Sequence, residues 1–167
     1  MRALLILHLV PGLGPRLTTA LLERFGSAAA VVQATPEQLA EVPHIGDKLA
    51  QDFARAMKSA DVAGEVELMD RHRVRLVALG SPEYPAALTK IADPPHLLYL
   101  RGTLEKKDVQ AVALVGSRQC TAYGRRVAER LARGLVQKGY TVVSGLARGI
   151  DGCAHRAALQ AGGRTLA

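Results

Sequence analysis

The sequence predicts an α/β protein: an all-α N-terminal domain of two similar helical hairpins, then part of a parallel sheet. Three observations carry that expectation. The first 65 residues align with themselves at an offset of 32, the next 43 pass from helical to strand-type spacing, and the last 59 alternate apolar strand-like runs with helices. The chain has 167 residues, 49% of them hydrophobic and 22% charged, which is enough apolar material for one ordinary domain or two small ones. The expected divisions are therefore 1–65, 66–108 and 109–167.

In the first segment, Val10-Pro11-Gly12-Leu13-Gly14 aligns with Val42-Pro43-His44-Ile45-Gly46, and Leu17 and Leu21 align with Leu49 and Phe53. Each unit reads as an apolar helix, a tight turn and a second helix, the helix-hairpin-helix pattern. Backbone N–H groups at such a hairpin can hold a DNA phosphate without reading sequence. The first copy offers Gly12, Gly14 and Arg16, whereas the second has His44 and Asp47, a poor anion environment. Two readings stand: a packing or protein-interaction module, and a direct DNA clamp. Between the copies, Thr35-Pro36 marks the start of a helix. The opening run Ala3–Val10 has the outline of a short signal segment, but Pro11-Gly12-Leu13-Gly14 follows it, and a first helix ending in a turn fits better.

Residues 50–71 read as one or two helices, with Phe53, Met57, Val62, Val66 and Met69 at mostly helical spacing. Val74–Leu79 and His96–Gly102 then read as strands, with prolines fixing the path between them. His72 and His96 stand without further ligands at metal spacing.

In the last segment, Gln110–Val115 is a continuous apolar strand of the type buried on both faces. A helix over 122–138 follows, with Val127, Leu131 and Leu135 on its apolar side, then a strand over 140–143, a helix over 150–161 and a third strand starting at Thr165. This β-α-β-α-β order is the unit of a doubly wound, Rossmann-like sheet. Such sheets place ligands at the strand-to-helix turns. Here those turns are Gly116-Ser117-Arg118 and Ser144-Gly145-Leu146-Ala147-Arg148-Gly149, whose glycines, hydroxyls and guanidinium groups suit phosphate.

Charge points to the same place. Segment 109–167 has nine basic residues against Glu129 and Asp151, and so carries the whole net charge of +7. Arg126, Arg130 and Arg133 make a basic stripe on the helix over 122–138, which reads either as a secondary nucleic-acid face or as a solvated one. The three-glycine dinucleotide fingerprint and the Walker motif are absent, which disfavours a nicotinamide, flavin or simple ATP site. Asp151 and His155, at i and i+4, are either an acid/base pair or a helix-start carboxylate and a packing imidazole, the second being the better account. Neither Cys120 nor Cys153 has the neighbours of a metal site or catalytic thiol. Two cysteines and no apolar run near the ~20 residues of a membrane span lead to the expectation of a cytoplasmic protein with no membrane contact, no cofactor and no metal.

The run Ala113–Arg118, with Thr121 and Tyr123-Gly124, then Val142–Asp151 with Ala154-His155 and Ala157, resembles the bacterial DNA processing protein A family, also called Smf. Tyr84-Pro85, Leu88, Ile91, Asp93-Pro94-Pro95, Leu98-Tyr99 and Gly102 resemble the segment that leads into that family's Rossmann-like domain. The resemblance implies a non-enzymatic protein that binds single-stranded DNA and helps load the RecA recombinase in natural transformation. It further implies contacts with single-strand-binding protein and a homodimer. Carried onto this chain, the DNA-contacting positions are Gly116, Ser117, Arg118 and Thr121, with Ser144, Gly145, Ala147, Arg148 and Gly149. Family members continue beyond the third strand, so the chain is read as a fragment, with DNA binding and dimerisation resting partly on the absent half. The competing expectation is an enzyme acting on a nucleotide or phosphoribosyl substrate, for which only Asp151 and His155 are available.

Overall fold

Leu7, Val10, Leu13 and Leu21 are each matched, 32 residues on, by Leu39, Val42, Ile45 and Phe53, and all eight side chains are buried in one core. The repeat seen in the sequence is thus a repeat of core positions. In a computed structural model that describes all 167 residues, the helices involved are α1 (Arg2–Leu9), α2 (Pro15–Phe25), α3 (Ala28–Gln33), α4 (Pro36–Ala40) and α5 (Asp47–Ser59). The hairpin backbone repeats too: Leu13 N–H donates to Val10 O at 3.2 Å, and Ile45 N–H to Val42 O at 3.0 Å. Gly12 adopts φ 79° in the first turn, and His44 must take φ 69° in the same place in the second, a conformation that favours glycine. Thr35 caps α4 with a reciprocal bond from its own N–H to Gln38, as the Thr-Pro start leads one to expect.

The span 50–71 resolves into two helices, α5 and α6 (Val62–His72). The expected apolar face of α6 does not enter the core. No residue of α6 is buried, and Val66 and Leu68 remain 42% and 47% exposed. It lies at the margin of the hairpin core rather than across it.

Two strands follow, β1 (Val74–Ala78) and β2 (Leu97–Arg101), paired antiparallel with Val77 opposite Leu98. Between them Tyr84 is buried, its hydroxyl donating to Pro95 O at 2.7 Å. This ribbon does not form a separate connector as expected at 66–108. Thr19 Oγ1 on α2 and His96 Nε2 are 2.9 Å apart, and the His8 and Tyr99 rings meet at 5.1 Å. These contacts join the ribbon to the helices, and the compact units are Met1–Thr103 and Leu104–Ala167. His96 is thereby a packing residue, its pKa lowered by burial.

The second unit contains β3 (Ala111–Ala113), α7 (Ala122–Gln137), β4 (Thr141–Val143), α8 (Ile150–Gln160) and β5 (Thr165–Leu166), with parallel strand order β3-β4-β5. Ala132 on α7, Ala154, Ala157 and Ala158 on α8, and Val142 on β4 form one buried cluster, so both helices cover the same face of the sheet. That arrangement corrects two expectations. The strand at 110–115 is shorter and is not buried on both faces: Ala111 and Ala113 are exposed, and Val115 is 72% exposed, because β3 is an edge strand with helices on one side only. On α7 the buried residues are Ala128 and Ala132, flanked by Leu135 and Val136, whereas Leu131 is 48% exposed and Val127 half-buried. Small alanines let the two helices approach closely, which turns the larger Val127 and Leu131 out of the contact.

Candidate nucleic-acid interface

A Ser or Thr beside glycines at the end of each parallel strand sets up two loops, Leu114–Thr121 after β3 and Ser144–Gly149 after β4. They touch. Ile150 N–H donates to Ser117 O at 3.2 Å, and a Cβ on Gly149 would run into the carbonyl oxygens of Ser117 and Arg118, the second at 2.7 Å. Gly149 also has φ 84°, so this close passage of two backbones requires glycine on both counts. The start of α7 reaches the same point: a Cβ on Gly124 would lie 3.5 Å from Ile150 Cδ1. Two loops and two helix N-termini therefore share one rim of the sheet.

The expected contact residues divide into those that face solvent and those that hold the rim together. Arg118 and Arg148 are exposed, as are Gly116, Ser117, Thr121 and Gly145; Ala147 and Gly149 are half-buried. Ser144 is different. It is 2% exposed, and its Oγ donates to Leu114 O at 2.6 Å while its backbone N–H donates to Leu166 O, so the residue ties the ends of the three strands together and its hydroxyl is turned inward. Ser117 Oγ is engaged within its own loop, accepting from Gln119 N–H at 3.1 Å. Thr121 caps α7, accepting from Gly124 N–H at 3.1 Å. The Ser117 and Ser144 hydroxyls, expected to suit phosphate, are engaged in local order, for the reason that polar groups in short loops satisfy their own backbone first, while Thr121 is exposed with its oxygen accepting at the helix cap.

Asp151 sits beneath the rim, 6% exposed, with Oδ1 accepting from Gly116 N–H at 3.3 Å. It ties the first loop to α8. His155 is equally buried and turns to Thr165, with Nδ1 2.6 Å from Thr165 Oγ1. The Thr165 hydroxyl donates to Val142 O, so Nδ1 is the donor toward it. The two side chains therefore serve the loop and the sheet, in line with the second of their two sequence readings. Cys153 is buried with Arg156 Nη2 at 3.3 Å from its sulfur, and no group of His, Cys, Asp and Glu is placed to hold a metal.

Electrostatics single out the unit that carries the rim. The second unit has eleven basic and four acidic residues, the first unit eleven of each. Of the four carboxylates, Glu105 and Asp108 bind Arg164 and Asp151 is buried, leaving Glu129 alone. Arg118, Arg125, Arg126, Arg130, Arg133, Arg148 and Arg156 form no ion pair, and all seven are exposed. The secondary stripe of Arg126, Arg130 and Arg133 thus faces solvent on α7. A hollow of about 600 Å³ lies instead in the first unit between α1, α5 and α6. Asp61, Glu65 and Glu67 line it, and its one cation, Arg71, is paired with Glu67 at 2.9 Å. Its sign is wrong for a phosphate chain. At the first hairpin, Arg16 lies 3.9 Å from Asp93, which further weakens the case for a clamp there.

One cluster escaped the sequence altogether. Arg164, just before β5, forks onto Asp108, Nε to Oδ1 at 2.5 Å and Nη2 to Oδ2 at 2.7 Å, while Thr141 Oγ1 donates to Oδ1 at 3.0 Å and Glu105 N–H to Oδ2 at 2.7 Å. The guanidinium holds the Asp108 carboxyl well below its usual range, at about 2. Residues 56 apart carry no local signal of such a pairing, and Arg164 reads in sequence only as one more positive charge.

Comparison with known proteins agrees with the architecture. The sequence pattern of the DNA recombination-mediator protein A family matches residues 75–167, and that of the SAM-like helix-hairpin-helix tandem matches residues 4–58. Protein Smf of Synechocystis is 33% identical over 162 residues, 95% of this chain and 41% of its own length. The DNA processing protein DprA of Bacillus subtilis is 41% identical over 95 residues, 56% of this chain and 32% of its own. The X-ray structure of DNA processing protein A from Streptococcus pneumoniae superposes with a TM-score of 0.72 at 28% identity, covering 100% of this chain and 56% of that one. The chain thus spans about two fifths of the Synechocystis relative. A helical hairpin tandem preceding a parallel sheet with paired glycine-serine loops, together with these matches, shows that the chain belongs to the DNA recombination-mediator protein A family.

Proposed function

We propose that this protein binds the sugar-phosphate chain of single-stranded DNA, without strong sequence preference, at the rim formed by Leu114–Thr121 and Ser144–Gly149. The observation that carries this reading is the pair Arg118 and Arg148 on touching loops, exposed and with no carboxylate partner, on the unit that holds the net charge. Glycine and backbone N–H groups beside guanidinium forks suit phosphate and read no base, as a protein that accepts any strand requires. The role we infer is to assist loading of the RecA recombinase in natural transformation and recombination, in the cytoplasm, with single-strand-binding protein as a further partner. Dimerisation belongs to the same reading. We read the protein as a binding protein and not an enzyme: Asp151 and His155, the two groups a hydrolytic mechanism would need, are buried and engaged in holding the rim and the sheet.

Binding of oligo(dT) to the full chain, followed by fluorescence anisotropy at several salt concentrations, tests this. Arg118→Ala and Arg148→Ala are each expected to weaken binding about five- to tenfold at low salt and to reduce the slope of log K against log salt by about 0.7, the value of one phosphate contact on a single strand. Unchanged affinity and slope in both variants would remove the assignment. The α7 stripe is expected to contribute less: Arg130→Ala should lower affinity by about twofold, measured in the same titration.

A further inference from the structure

Leu146 is at odds with its surroundings. It adopts φ 54°, in the left-handed region, and its side chain is 69% exposed. A leucine there carries backbone strain that glycine or asparagine would avoid, and an exposed side chain recovers little of it by packing. The two other non-glycine residues with positive φ have ordinary explanations: His44 stands in a hairpin turn and Arg73 at the C-cap of α6. Leu146 ends no helix and enters no core.

The loop that carries it is fixed at both ends. On one side Ser144 is bonded to Leu114 and Leu166, and on the other Gly152 N–H donates to Ala147 O at 3.1 Å. The leucine is therefore held outward on an ordered loop, two residues from Arg148 and on the rim that also carries Arg118. We propose that Leu146 is an apolar platform for a nucleobase of the bound strand, packing against the base face while the arginines hold phosphates on either side. This rests on the reading of the rim as a single-stranded DNA site and adds a contact to the bases, one that is tolerant of sequence because every base has an apolar face.

The test uses the full chain and two strands with equal numbers of phosphates, oligo(dT) and an abasic oligomer of the same length. Leu146→Asn keeps a residue suited to the left-handed backbone and removes the apolar side chain; Leu146→Gly does the same with no side chain at all. Both variants are expected to bind oligo(dT) about three- to tenfold more weakly than wild type, to bind the abasic strand within about twofold of wild type, and to keep the wild-type salt slope. Urea unfolding is expected to show a midpoint no lower than wild type for Leu146→Gly, since the strain is relieved. Equal affinity of wild type and both variants for oligo(dT), or an equal loss on both strands, overturns the platform while leaving the phosphate site standing. Failure of the wild-type chain to bind either strand overturns the phosphate site, and the platform with it.

Discussion

Gly149→Ala is expected to open the rim and destabilise the second unit by about 3 kcal/mol. A methyl at this position meets the carbonyl oxygens of Ser117 and Arg118, which are backbone atoms and cannot rotate aside as a side-chain end would. The φ of 84° adds the usual cost of a β-carbon in that region, and separation of the loops removes the bond from Ile150 N–H to Ser117 O. Gly145→Ala is the control. Its Cβ would meet only Asp151 Oδ2 at 3.1 Å, so a loss below about 1 kcal/mol is expected there. Urea unfolding of both variants beside wild type measures the difference, and oligo(dT) affinity should fall at least tenfold in Gly149→Ala. Equal midpoints for Gly149→Ala and wild type would mean that the two loops do not meet as described.

Asp108→Ala is expected to cost about 3 kcal/mol in the same measurement, because it leaves the Arg164 guanidinium, with a side chain only 20% exposed, short of its main partner, and strips an acceptor from Thr141 and Glu105. The carboxylate also sets a pH dependence. Its folded pKa of about 2 lies below the ordinary value of 3.8, so it contributes stability above pH 3.8 that is lost as the pH falls through about 2. The contribution at neutral pH is about 2 kcal/mol by the size of that displacement. Between pH 5 and pH 2 the wild-type midpoint should therefore fall more steeply than that of Asp108→Ala. Parallel curves would show that the pair does not hold the entry of β3 to β5.

The two predictions draw on features of different legibility. The hairpin tandem could be read because one-residue precision in its repeat is imposed by burial: Val10 and Val42, Leu21 and Phe53 occupy equivalent core positions, and a slip would expose them. The strand-to-helix loops were legible through their glycines, since only a close backbone approach of the kind seen at Gly149 demands that residue at that place. What the loops do with their hydroxyls was not legible. Ser144 looks in sequence like any phosphate-binding serine, and only the three-dimensional pairing of β3, β4 and β5 shows that Leu114 O claims it. Large apolar residues on α7 misled for a related reason: the helix packs through Ala128 and Ala132, and size alone does not say which side faces a neighbour. The Asp108 and Arg164 pair had no sequence signal, because contact between residues 56 apart depends on the completed parallel sheet.

Competition between the hairpin and the rim is the point on which the functional account turns. Both have glycines and helix starts, but the hairpin unit has no excess charge, its arginine is close to Asp93 and the hollow between α1, α5 and α6 is acidic. A chain of 17.8 kDa is well within reach of amide NMR, which locates binding directly. Titration of the labelled full chain with oligo(dT) is expected to move the amide signals of residues 116–121 and 145–149 most, with those of 12–16 nearly still. Shifts concentrated at 12–16 and 44–48, with the loops after β3 and β4 unmoved, would contradict the account.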